Sequence, residues 1–151
     1  MADYETLTLE REIACAPDRL FHVITDRDLR QSWSAPDDDS VVIIDQYDCR
    51  PGGREETRCG PKDAPEFQTT ALFHVVSPEF ISCTETLIIG GQMMSVTLCG
   101  QEILASATGS RLRVTLQITS LVGKDLFDDY RGGWSAALDK LAALASKLDP
   151  S

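Results

Sequence analysis

In the last quarter of the chain, Phe127, Tyr130, Trp134, Ala137, Leu138, Leu141, Ala145 and Leu148 recur at three- and four-residue steps behind a series of strand-like segments. That spacing predicts one long amphipathic helix with an aromatic first half. A helix that arrives only after all the strands has to lie across the sheet they form, and bulky aromatics at one end hold the two layers apart. The expected product is a cavity rather than a catalytic motif. Gly132 and Gly133 stand just before Trp134. Adjacent glycines weaken a helix by about 1 kcal/mol each relative to alanine, so the pair predicts a kink or a close backbone approach, with Phe127 and Tyr130 at the cavity mouth and the Ala- and Leu-rich remainder packed tightly.

The 151 residues fit a single domain spanning 1–151 with its core from about residue 7 to about residue 148. A 42% hydrophobic and 25% charged composition is that of a globular chain. No apolar run reaches the roughly 20 residues of a spanning helix. The acidic opening Met1-Ala2-Asp3-Tyr4-Glu5 lacks a basic and apolar leader, so the expectation is a cytoplasmic protein. A formal charge of −10 repels phosphate backbones and anionic lipid heads, which argues against nucleic acid and membrane surfaces as partners. Five cysteines (Cys15, Cys49, Cys59, Cys83, Cys99) stand far apart, are odd in number and form no C-x-x-C pair. They read as small buried hydrophobes within or beside strands, not as a disulfide framework.

Alternation of Leu7, Leu9, Ile13 and Cys15 with polar neighbours predicts a half-buried first strand, with Arg11 the odd member of its apolar face. Pro17 opens a short helix carrying Leu20, Phe21 and Ile24. Thr25 or Asp26 ends it and caps a second short helix that holds Leu29 and Trp33. Six strands follow: Val41 to Tyr47, Arg54 to Cys59, Glu66 to Val76, Phe80 to Ile89, Met93 to Ser106 and Arg111 to Thr119. Turns of hairpin length join them, so neighbours in sequence should be neighbours in an antiparallel sheet with one wet face. Asp37, Asp38 and Asp39 lack the register of a calcium loop and read as a solvated loop.

Four stretches in this order carry a resemblance. They are Arg11 to Pro17, Thr25 to Leu29 with Trp33, Asp48 to Arg54 around Pro51-Gly52-Gly53, and Gly133 to Leu141. Together they resemble the START and birch-pollen-allergen (SRPBCC) superfamily, and within it the branch of activator of heat-shock-protein-90 ATPase homologue-like proteins. The resemblance implies an α+β helix-grip fold: a curved antiparallel sheet of about seven strands, two short helices after the first, and a long C-terminal helix across the sheet. It also implies a cavity between helix and sheet, which superfamily members have adapted to many ligands. The chain departs from the family pattern at Glu55-Glu56, where an aromatic is usual after the double glycine. It departs again at Ser34, where a second aromatic often follows Trp33, and at Ser120, where a histidine is common.

The candidate ligand-binding residues follow from the faces that would meet. On the long helix they are Phe127, Tyr130, Trp134 and Leu138, and on the fourth strand Phe67 and Phe73, taken to share a face with Thr69 and Val75. Trp33 is a candidate lid. Three charged groups fall on otherwise apolar faces, where an unpaired charge is unfavourable: Arg11, Glu85 in register with Ile81, Cys83 and Leu87, and Glu102 in register with Val96 and Leu98. Asp48 and Arg50 read as local ties of the Pro51 hairpin. No G-x-S-x-G elbow or glycine-rich phosphate loop is present, and a Cys83–His74 pair is the remaining nucleophilic arrangement. No catalytic residue, metal ligand or cofactor is assigned.

The first expectation is therefore a binding protein for a small apolar or amphipathic molecule. A protein-interaction module acting on a chaperone ATPase is the second, and would display a contiguous apolar patch on the outer sheet face. A cavity enzyme would need titratable groups converging inside the pocket. A homodimer is left open.

Overall fold

The structure is a computed structural model that describes residues 2–35 and 37–147. Seven strands form one antiparallel sheet: β1 (Asp3–Ile13), β2 (Ser40–Tyr47), β3 (Arg54–Pro61), β4 (Phe67–Ser77), β5 (Phe80–Ile89), β6 (Gln92–Ser106) and β7 (Gly109–Ser120). Their spatial order is β1-β7-β6-β5-β4-β3-β2, so β2 to β7 form a meander and β1 closes against β7. Between β1 and β2 lie α1 (Pro17–Thr25) and α2 (Arg27–Ser34), and α3 (Asp125–Lys147) follows the last strand. This is the helix-grip architecture.

Local chemistry explains the punctuation. Pro17 occupies the first turn of α1, where its missing N–H leaves no bond unmade. The Asp26 carboxylate accepts from the Leu29 N–H at 3.1 Å and so caps α2. At the Pro51 hairpin, a Cβ on Gly53 would lie 2.0 Å from the Asp48 carbonyl oxygen, and the Gly53 carbonyl accepts from Phe73 N–H at 2.9 Å. Only glycine permits that approach of backbone to backbone. Arg50 Nε donates to Asp48 Oδ2 at 2.9 Å, so these two residues do tie the hairpin locally.

The inner sheet face and α3 enclose the core. Leu7, Ile13, Leu112, Val114, Leu116 and Ile118 from β1 and β7 pack against Leu138, Leu141 and Ala145 of α3 and against Leu20 and Val23 of α1. The helical stripe is as its spacing predicts through Ala145; Leu148 lies outside the described residues. Arg11 sits on the inner side of β1 and ties down the helix. Its guanidinium bonds Asp139 Oδ1 at 3.0 Å, Ser135 Oγ at 2.7 Å and the Ser135 carbonyl at 3.2 Å. Arg11 is thus a clamp between first strand and last helix, rather than a group facing a ligand.

Besides an irregularity between Ile44 and Gln46 on β2, two β-bulges decide which side chains of β4 to β6 face inward. One lies between Phe73 and Val75, so Ala71 and Phe73 are buried while Val75 turns out to solvent and Val76 packs inward. Phe73 and Val75 therefore do not share a face. The other bulge, at Leu87 and Ile88, leaves Met94 unpaired opposite it. On β6 the buried set is Ser95, Thr97, Cys99, Gln101 and Ile103, while Leu98 is exposed. Glu102 consequently lies on the outer face, 3.5 Å from Arg113, and cannot reach the space under α3. His74 is also on the outer side, bonded to Thr84 Oγ1 at 2.7 Å, whereas Cys83 is buried on the inner side. A Cys83–His74 pair is ruled out.

Candidate ligand-binding site

Helix α3 packs on β1 and β7 and on the two short helices. Over the other half of the sheet, helix and strands separate and leave a cavity of about 490 Å³. Its walls come from α2 (Arg30, Trp33, Ser34), β2 (Val42), β3 (Thr57, Cys59), β4 (Phe67, Thr69), β5 (Glu85, Leu87) and α3 (Leu126, Asp129, Tyr130, Gly133, Trp134, Ala137). Trp33, Phe67, Glu85, Tyr130 and Trp134 thus meet at one space. Phe127 and Leu138 are buried in the core instead. Phe73 lines a small adjacent void of about 30 Å³ and packs edge-on against Tyr47 with ring centroids 6.2 Å apart.

Trp33 is a wall rather than a lid. Its indole is 2% exposed and its Nε1–H donates to the Val23 carbonyl at 3.0 Å, which fixes the ring. The glycine pair also has a different role from the expected kink. Helix α3 is assigned unbroken from Asp125 to Lys147, and a Cβ on Gly132 or Gly133 would meet nothing within 4 Å. Gly133 borders the cavity, so its missing side chain leaves volume free where an ordinary residue would fill it.

The polar groups of the site are mostly satisfied by one another. Tyr130 Oη, pushed up to about 12 by burial, is 2.7 Å from Ser95 Oγ and accepts from Thr97 Oγ1 at 3.2 Å. Thr57 and Thr69, directly opposite on β3 and β4, share a hydroxyl–hydroxyl bond. Arg30 stacks over Trp33 at 4.7 Å, bonds Ser34 Oγ, and reaches Glu55 Oε1 at 3.2 Å. Burial disfavours the Arg30 charge, but the Glu55 and Glu85 carboxylates outweigh it and its pKa ends raised. Arg30, Glu55 and Gln101 escape a sequence reading because none lies on a predicted apolar stripe.

Glu85 is the exception. Ala71 stands between Glu55 and Glu85 in the strand register, and this small residue leaves the two carboxylates facing a common space. Glu85 makes no hydrogen bond among the described residues. Burial, against the opposing pull of Arg30 and with repulsion from Glu55, raises its carboxyl from 4.5 to about 7. Gln101, 8% exposed, has a buried side-chain oxygen without a partner and borders the small void, which shares Arg30, Glu85 and Trp134 with the main cavity.

Comparison with known proteins bears on this geometry. A family profile described as Activator of Hsp90 ATPase homolog 1-like protein matches residues 14–146. The chain belongs to that family. An uncharacterised protein from Rhizobium leguminosarum has the same fold, with a TM-score of 0.85, 21% identity and 98% of each chain covered. The Mll3558 protein from Rhizobium loti is 30% identical, with a TM-score of 0.84 over 95% of this chain and 98% of that one. A protein of the same family from Silicibacter pomeroyi gives 23% identity and 0.71 over 92% and 96%. No curated protein matches. Among the described residues, no helix is long and apolar enough to cross a membrane.

Ser34 and Glu55 supply both side-chain hydrogen-bond partners of the Arg30 guanidinium. Glu85 then predicts a pH signature. Below about pH 4.5 the folded and unfolded states both hold the Glu85 proton. Between about 4.5 and about 7 the unfolded chain releases it first, so the folded state loses stability as pH rises, and the loss is complete above about 7. Glu85→Gln should therefore match the parent at pH 4 and be more stable at pH 8, read from urea denaturation at both values. Equal stability of the two proteins at pH 8 would show that Glu85 is not desolvated.

Proposed function

We propose that this chain binds one small amphipathic molecule in the cavity under α3, acting as a carrier or sensor rather than through a built-in nucleophile. The observation that supports this is the cavity of about 490 Å³, within the range of about 300–1,000 Å³ usual for ligand pockets. Its aromatic and aliphatic walls, Trp33, Phe67, Leu87, Leu126 and Trp134, suit an apolar body. The Arg30–Glu55–Glu85 cluster suits a polar head.

Trp33 and Trp134, the two tryptophans of the chain, both border the cavity, so tryptophan emission reports occupancy. Titration with a panel of medium-chain and aromatic amphiphiles should shift that emission to saturation, and native mass spectrometry should show a 1:1 adduct. The same spectra would reveal a changed ligand mass if Glu85 acted as a general acid or base. No saturable shift and no adduct from any member would contradict the proposal.

The family description names an activator of the Hsp90 ATPase, which makes a chaperone partner the second reading. On the outer sheet face, however, the half-exposed Leu72 and Leu98 are separated by Thr84 in the register and followed by Gln117. That alternation is a poor docking patch, and the ligand reading is preferred.

A further inference from the structure

The polar end of the cavity carries more negative than positive charge. Arg30 is the cation among its lining residues, and its charge is already opposed by Glu55 at 3.2 Å. Glu85 remains without a hydrogen bond, and Asp129 adds an exposed carboxylate at the α3 rim. The other unmet polar atom is Gln101 Oε1, also an acceptor, on a side chain 8% exposed that borders the small adjacent void behind Arg30 and Glu85. Hydroxyls that could have donated are engaged elsewhere: Thr57 with Thr69, and Ser95 and Thr97 with Tyr130.

Gln101 Oε1 is buried without a partner and the Glu85 carboxylate is half-buried without a hydrogen bond, and both favour a donor, because a desolvated polar group left alone costs about 1–3 kcal/mol. An ammonium group offers three donors and a positive charge. A carboxylate head would bring another anion into a cavity already lined by Glu85 and Asp129. Resting on the ligand-binding reading above, we propose that the cavity selects a cationic amphiphile, a protonated amine on an apolar body, with the ammonium group directed at Glu85 and the apolar body between Trp33 and Trp134. Burial holds the Glu85 carboxyl near neutrality, and a cation is the partner that draws it into the ionised form. The formal net charge of −10 favours the approach of such a ligand, but it cannot by itself distinguish one cavity group from another.

The test uses decylamine, decanol and decanoate, which share a body and differ at the head, titrated into the full chain at pH 8 in 0.15 M salt with tryptophan emission and calorimetry as readouts. Decylamine should bind at least about 10-fold more tightly than decanoate, corresponding to about 1.4 kcal/mol. Glu85→Gln should bring decylamine down to the level of decanol while leaving decanol unchanged. Because Glu85→Gln keeps the surface charge elsewhere, its effect separates cavity recognition from general attraction. Decanoate binding as tightly as decylamine, or decylamine binding equally to parent and Glu85→Gln, would overturn the cationic assignment and leave the cavity reading standing. Failure of all three ligands and of the wider panel would remove both.

Discussion

Arg30→Met should destabilise the fold by about 3–5 kcal/mol, because it strands the Glu55 carboxylate in the interior without its cation. The pair is 3.2 Å apart, with the side chains of Arg30 and Glu55 20% and 6% exposed. The same substitution removes the guanidinium that stacks over Trp33 and the bond to Ser34. A methionine of similar length still covers the indole, so lost packing is a small part of the effect. The double variant Arg30→Met, Glu55→Leu removes both charges and should recover most of the loss. Urea denaturation of parent, single and double variants measures this directly. A single variant as stable as the parent would mean that Glu55 reaches solvent and that the cavity's polar end is wet.

The second large effect is on binding. Gly133 lies within an unbroken helix, and a Cβ there meets nothing within 4 Å. Gly133→Ala should therefore stabilise the protein by about 1 kcal/mol through helix propensity alone. Gly133→Phe places a ring in the cavity and should lower ligand affinity at least about 100-fold, or about 2.7 kcal/mol, while keeping the thermal midpoint at or above that of the parent. If the space were already filled by neighbours, the same ring would overpack the interior and cost about 1–3 kcal/mol of stability. Stability and binding thus move in opposite directions only if the cavity is open.

Much of the fold was legible because it depends on periodicity. The alternation of Leu112, Val114, Leu116 and Ile118 marks β7 and its buried face, and the stripe from Phe127 to Ala145 marks α3. Pro17 and Asp26 announce the short helices through backbone chemistry local to each residue. Facing was less legible. The Phe73–Val75 bulge inverts the end of β4. On β6 the inward residues Ser95, Thr97 and Gln101 are polar while Leu98 points outward, so hydrophobicity selects the wrong face and takes Glu102 with it. That inversion exists because β6 faces the cavity's hydroxyl network through Tyr130.

The site was legible where one residue carries the signal and illegible where a cluster does. Glu85 in an apolar register is unusual by itself, and it does line the cavity. Arg30 lies on a short polar helix and gains meaning only when folding brings it to Glu55, 25 residues away. Arg11 shows the converse: an arginine on an apolar face marks an inner position, but its partners Ser135 and Asp139 lie on the far helix, and it holds α3 rather than a ligand. Gly133 invites a reading as a kink, because helix propensity describes what glycine does to a backbone and not the volume it leaves empty.

The most direct measurement is a crystal structure of the protein incubated with decylamine. Continuous density for the alkyl chain is expected between Trp33 and Trp134, with the nitrogen within hydrogen-bond distance of Glu85. A structure in which Tyr130, Trp134 and Leu126 have closed over the space, with no ligand density, would contradict that expectation.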